Sequence, residues 1–153
     1  MTKVSGLFSI FGAMALAAAM LVPAAPAVAG DETRRVAIHV DDNDPKRMNM
    51  ALNNAENLDK YYKSKGMKIE IRLVAYGPGL HMLRADTSPV KGRIEKMALQ
   101  YPNRSFAACG NTHMRMSKKS GKDVVLLSEA TKVPSGVVEL LELQRKGWAY
   151  VRP

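Results

Sequence analysis

Cysteine is almost absent from this chain. Cys109 is the only one among 153 residues, so no intramolecular disulfide can form. Aromatic residues are scarce, at 6%, with one tryptophan and three phenylalanines. No basic run is interleaved with aromatic side chains, and no nucleic-acid-binding motif is present, which argues against nucleic acid as a partner. Acidic residues are in deficit, 14 against 23 Lys and Arg, for a net charge of +9. That positive charge is scattered in short pairs such as Arg34-Arg35, Lys46-Arg47 and Lys118-Lys119, the pattern of a solvated surface rather than a polyanion track. Several signatures are missing as well: zinc-ligand spacing, a phosphate-binding Gly-Lys-Ser/Thr loop, and the Gly-x-Ser-x-Gly or Cys/His/Asn sets of hydrolases. There is no internal repeat, low-complexity tract or internal linker.

The long apolar run is confined to the start. Lys3 is the only charge before Asp31, and Leu7 to Val22 is almost wholly apolar and alanine-rich. Ala27-Val28-Ala29 supplies the small residues of a cleavage site, so residues 1–29 read as a secretory signal peptide. A retained anchor fits less well. The stretch is short for a ~20-residue span, and Pro23 and Pro26 interrupt its end. The expected product is residues 30–153, an exported, periplasmic single domain of net charge +8 once Lys3 is gone, with no membrane attachment after cleavage. An oxidising compartment makes a lone thiol notable: it is either reactive or an intermolecular partner.

Beyond the leader, strand-like and helix-like segments alternate. Arg35 to Asp41 reads as the first strand. Asp44 suits an N-cap and Pro45 the first helical position, where its missing N–H costs nothing. The helix runs to about Lys65, with Met48, Ala51, Leu52, Ala55, Leu58 and Tyr62 on one face. Met67 to Ala75 is the second strand, closed by a Tyr76-Gly77-Pro78-Gly79 loop. A second helix covers Ser88 to Tyr101, and Arg104 to Cys109 is the third strand. A short helix follows near Asn111–Lys119, ended by Gly121. In Asp123 to Pro134, Val124 to Leu127 reads equally as strand or helix turn, and Thr131-Lys132-Val133 is a candidate fourth strand. Gly136 to Lys146 is an amphipathic helix through Val137, Leu140, Leu141 and Leu143, capped by Ser135. Trp148 to Val151 is a last short strand. Repeated strand–helix crossovers predict an α/β fold with a mostly parallel five-stranded sheet and helices on both faces.

Cys109 stands where a parallel sheet puts its chemistry, at the carboxyl end of a strand. The helix that follows would aim N–H groups at the sulfur and favour thiolate. The equally available reading is a buried small hydrophobe, since free cysteine is among the most buried residue types. Gly77, Pro78 and Gly79 allow close backbone approach to a small anion or simply turn the chain. His39 lies in a strand as a core or pocket residue. His81, Met82, His113 and Met116 are the soft-ligand types that select Cu(I), though methionine equally fills gaps in cores. Asp41-Asp42-x-Asp44 is better explained by helix capping than by a hard cation.

The segment His39-Val40-Asp41 with nearby Pro45, the Gly77-Pro78-Gly79 loop, Cys109-Gly110-Asn111-Thr112, Val133-Pro134-Ser135-Gly136-Val137 and the closing Leu143-Gln144…Gly147-Trp148-Ala149-Tyr150 occur in an order that resembles the DsrE/DsrF-like family of small α/β proteins. The resemblance spans nearly all of residues 30–153 and points to an uncharacterised exported branch. It implies a DsrE-like fold and a homo-oligomer, trimer or hexamer. It implies a sulfur-relay role in which Cys109 carries a persulfide, with a sulfur donor or acceptor protein as partner and no cofactor. Gly77, Pro78, Gly79, Gly110, Asn111, Thr112 and His39 are the residues expected around that cysteine. The competing expectation is a non-catalytic module that binds copper or a small anion in the same strand-end pocket.

Overall fold

The computed structural model describes residues 33–153; the expected signal peptide lies outside them. β1 is Arg34–Val40, β2 Ile69–Ala75, β3 Arg104–Cys109, β4 Ala130–Val133 and β5 Ala149–Val151. The helices are α1 Pro45–Ser64, α2 Lys91–Gln100, α3 Gly110–Ser120 and α4 Gly136–Arg145. All five strands are parallel, in the order β4-β3-β2-β1-β5.

Alternation along the strands separates two faces. Val36, Ile38 and Val40 of β1, Ile71 and Leu73 of β2, and Phe106 of β3 join Met48, Leu52, Ile94 and Met97 in the larger core. The smaller core, on the other face, is Ala37, Val74, Ala107 and Val133 under Leu140 and Leu143 of α4. The arrangement follows from handedness. The chain steps from β1 to β4 in one direction, so right-handed crossovers keep α1, α2 and α3 on one face. The return from β4 to β5 must then cross the opposite face, and α4 does so alone.

Local signals explain most boundaries. Asp44 caps α1 by accepting from the Lys46 N–H at 2.8 Å. Gly66 and Gly121 take the positive φ angles, 67° and 69°, that end α1 and α3. Four expectations are corrected. The Tyr76–Gly79 loop continues as a 3₁₀ helix over Gly77–Leu83. Val124 to Leu127 is neither strand nor helix: Leu126 makes one isolated antiparallel bridge with Arg84. Ser135 occupies the N-cap position of α4 without a side-chain capping bond, and Val137 and Leu141 of that helix are exposed rather than inward.

Candidate functional site

The chain leaves β3 for α3 on one face and β4 for α4 on the other. Between these two strand ends lies the crevice where an open parallel sheet binds ligands. Cys109 is the last residue of β3 and pairs in register with Val133, the last residue of β4. Its side chain shares the α4 face with Ala107, so it lies beneath the start of α4 as well as at the start of α3.

Close approach here depends on two glycines. A Cβ at Gly136 would meet Tyr76 Cβ at 2.8 Å, Tyr76 Cδ1 at 2.9 Å and Cys109 Cβ at 3.2 Å. A Cβ at Gly110 would meet the Val133 carbonyl oxygen at 2.9 Å. Both glycines therefore let two helix N-termini converge on one sulfur. Cys109 is buried, 4% exposed. Burial pushes its thiol pKa up, but the Thr112 hydroxyl and the N–H groups of Gly136, Thr112 and Asn111 favour the thiolate more strongly, and the net shift is downward. The Thr112 hydroxyl oxygen accepts from the Gly77 N–H at 3.0 Å, which turns its own proton toward other acceptors.

The glycine loop thus joins the site through Gly77 to Thr112. Gly79 does something else: a Cβ there would fall 2.2 Å from the Val40 carbonyl oxygen, so this residue packs the 3₁₀ helix against the end of β1. Pro78 is the proline at the start of that 3₁₀ helix. Arg115 is exposed and is not among the groups acting on the thiol.

Further along the same face stands His39, which the sequence placed near the cysteine, together with Tyr76, Tyr150 and Arg152, which sequence reasoning did not assign to the site. Tyr76 follows β2 and stacks on His39, ring centroids 4.5 Å apart at 23°. The His39 Nδ1 and the Tyr150 hydroxyl are 2.7 Å apart, and His39 Nε2 lies 3.8 Å from Asp41. Asp41 accepts two hydrogen bonds from Arg152, at 3.1 and 2.8 Å. Period-two alternation was the available signal: Tyr150, His39, Tyr76 and Cys109 all fall on the α4 face at the carboxyl ends of β5, β1, β2 and β3. Arg72 of β2 anchors α4 above them through Glu139 at 2.6 Å.

The soft-ligand candidates each have their own partners or packing. His81 bonds Thr87 at 3.1 Å. His113 Nε2 meets the Val124 carbonyl at 2.7 Å, Met82 is fully buried, and Met116 packs against the larger core. Among the described residues no three His, Cys, Asp or Glu side chains cluster as a metal site, and no helix is long and apolar enough to cross a membrane.

The chain is 34% identical to MTH1491 of Methanobacterium thermoautotrophicum, a protein of unknown function. The match covers 78% of this chain and 99% of that one, with a TM-score of 0.67. The chain belongs to the family of MTH1491. Four solved chains match in all. No family model matches the chain, and neither does any curated protein. The MTH1491 relationship establishes the α/β architecture and assigns no chemistry.

Proposed function

We propose that the protein is an exported, DsrE-like carrier of sulfane sulfur, with Cys109 as the residue that accepts and passes the sulfur. The observation that carries this reading is the convergence of the α3 and α4 N-termini on a single thiol whose pKa is lowered despite burial. The thiolate is the form that attacks a sulfane sulfur. The order of motifs shared with DsrE/DsrF-like proteins supports the same assignment.

In the loading step the Cys109 thiolate attacks the sulfane sulfur of a donor. An S–S bond forms on Cys109, the donor's own S–S bond breaks, and its electron pair leaves with the donor thiolate. Thr112 and the N–H groups of Gly136 and Asn111 hold the negative charge before attack and receive it again on discharge. A donor protein is the expected partner. As a DsrE-like protein the chain assembles as a trimer or hexamer, and the exposed apolar side chains of Leu99, Met114 and Val125 support association. Light scattering of the cleaved protein reads that assembly.

The deciding experiment is persulfide loading from polysulfide, read by intact mass before and after reduction. The wild type gains one sulfur, which reductant removes; Cys109→Ser gains none. A folded wild type that stays unmodified rejects the proposal.

A further inference from the structure

The five strands are parallel, so strand starts and helix ends lie together at one end of the molecule, opposite Cys109. Basic residues that are scattered in the sequence gather there. Arg34 and Arg35 open β1, Lys63 and Lys65 lie at the end of α1, Lys68 precedes β2, and Lys146 follows α4; all six are exposed. Two neighbouring clefts bring them together. One, of about 1100 Å³, is lined by Arg34, Arg35, Lys65 and Lys146. The other, of about 1110 Å³, is lined by Lys63, Lys68 and again Lys146, with Arg72 and Arg104 deeper in. The acids lining these clefts are each held by an arginine: Asp59 by Arg104, Glu70 by Arg35 and Glu139 by Arg72. Eight Lys and Arg thus stand against three acids, a surplus of five positive charges. Set against Asp31 and Glu32 of the sequence just before Thr33, the surplus stays positive.

The Cys109 end is balanced by contrast. Asp41, Asp42 and Asp44 offset Lys46, Arg47 and Arg152, with Arg152 bonded to Asp41 and Arg47 3.6 Å from Asp42. Cations are favourable at helix C-termini, which accounts for part of the basic end. It does not account for Arg34, Arg35 and Lys68, which belong to strand starts. Tyr61 is 57% exposed among these cations, edge-on to Tyr62 at 5.2 Å and with the Lys65 ammonium 6.0 Å from its ring. Tyrosine beside lysine is the composition of surfaces that meet a lipid headgroup layer. Thr33 lines both clefts, so residues 1–29, read as a signal peptide, join the fold at this end. An exported chain therefore leaves the membrane with its basic face nearest the bilayer.

We propose that this end of the sheet is a peripheral docking surface for a bilayer carrying anionic phospholipid headgroups. The inference stands apart from the sulfur-carrier reading. Sequence alone predicts no membrane attachment after cleavage; the contact assigned to the basic end is electrostatic and reversible, with nothing inserted. Each Lys or Arg near such a surface strengthens binding about fivefold, which is ~1 kcal/mol per residue converted at ~1.4 kcal/mol per tenfold. Salt weakens it, because exposed charges are screened. The six residues of β3 span about 20 Å, so docking holds the Cys109 end about that far from the headgroups.

The test uses the protein without residues 1–29, since both cores are built within residues 33–153. It is sedimented with vesicles of phosphatidylcholine alone and with vesicles of phosphatidylcholine and phosphatidylglycerol in equal parts. Wild type should bind only the anionic vesicles and leave them as salt is raised. The triple variant Lys63→Gln, Lys65→Gln, Lys146→Gln should bind about a hundredfold more weakly. Lys46→Gln, Lys91→Gln, Arg115→Gln together remove the same charge elsewhere and should bind near wild-type strength. Wild-type rates of Cys109 alkylation report that each variant is folded, and vesicles should leave the wild-type rate unchanged. Trp148, the only tryptophan, lines the second cleft, so nitroxide-labelled headgroups should quench its fluorescence in the bound protein. Binding to both vesicle types or to neither overturns the proposal. Equal weakening of the two triple variants, or an unquenched Trp148 in bound protein, overturns the assignment to this face. Binding to polyglutamate without binding to anionic vesicles makes the partner an acidic protein and overturns the bilayer.

Discussion

Gly136 lies against Cys109 so closely that a single added methyl would sit 3.2 Å from the cysteine Cβ. The same methyl would meet Tyr76 at 2.8 and 2.9 Å. The first turn of α4, the end of β3 and the end of β2 are thus packed at contact around the sulfur. Neither neighbour is the far end of a flexible chain, because the nearest atoms are Cβ and Cδ1 of Tyr76.

Gly136→Ala should therefore push α4 off the strand ends. The expected cost is about 1–3 kcal/mol, the range for overpacking a filled site, read as a lower midpoint in urea. The Gly136 N–H would move away from the sulfur, so the thiol pKa should rise. Wild-type stability together with an unchanged thiol pKa would show that α4 does not need this approach.

Thr112 gives a sharper test of what lowers the pKa. Thr112→Val keeps the shape and removes the hydroxyl, so the Cys109 thiol should titrate at higher pH. Alkylation of the folded protein at pH 7 should then slow. Thr112→Ser should retain wild-type behaviour, and Arg115→Gln should change nothing because Arg115 is exposed and does not act on the thiol. The pH profile of iodoacetamide alkylation measures all four proteins. A Thr112→Val profile that overlays the wild type would leave the hydroxyl without an electrostatic role.

Much of the fold was legible because local signals agreed with the global one. Asp44-Pro45 starts α1, Gly121 ends α3, and β3 spans the residues its pattern predicts, Arg104–Cys109. Val124 to Leu127 was not legible, since its partners are distant. Ala85 donates to the Val125 carbonyl and Leu127 to the Leu83 carbonyl, each at 2.9 Å, and no local periodicity encodes that pairing. The exposure of Val137 and Leu141 also escaped prediction: a single helix crosses this face of the sheet, so its outer side has nothing to pack against. The position of Cys109 could be read from its strand end. Its neighbourhood with Tyr76 and Gly136 could not, because they arrive from separate strand ends, and neither could the meeting of His39 with Tyr150, 111 residues apart.

At the opposite end of the sheet, Asp59 of α1 accepts from Arg104 of β3 and from Asn103 Nδ2 at 2.8 Å. The Arg104 side chain is fully buried, and its guanidinium lies 3.7 Å from the Tyr101 ring. Asp59→Ala would leave that cation buried without its carboxylate. The expected loss is about 3–5 kcal/mol, seen as a large drop in Tm, with Cys109 alkylation unchanged in the fraction that stays folded. A loss below about 1 kcal/mol would place the pair with weak surface bridges and contradict its burial.

His39 should also make stability depend on pH. Burial pushes its pKa below 6.5; Asp41 opposes that shift and Arg152 adds to it. The folded state therefore declines a proton that the unfolded chain accepts. As pH falls below about 6.5 the unfolded state binds more protons and stability drops, and the loss levels off once pH passes below the folded-state pKa. Asp41 acts in a lower window. Its pKa is depressed in the folded state, where burial opposes the shift but Arg152 and His39 outweigh it, so its contribution disappears only as pH falls below about 3.8. His81 is lowered as well, so His39→Gln should flatten the slope between pH 7.5 and pH 5 without abolishing it, and adding His81→Gln should flatten it further. Urea denaturation across that range measures the slope. If His39→Gln leaves it intact, the imidazole takes up its proton as readily in the folded protein as in the unfolded chain, and burial does not hold it neutral.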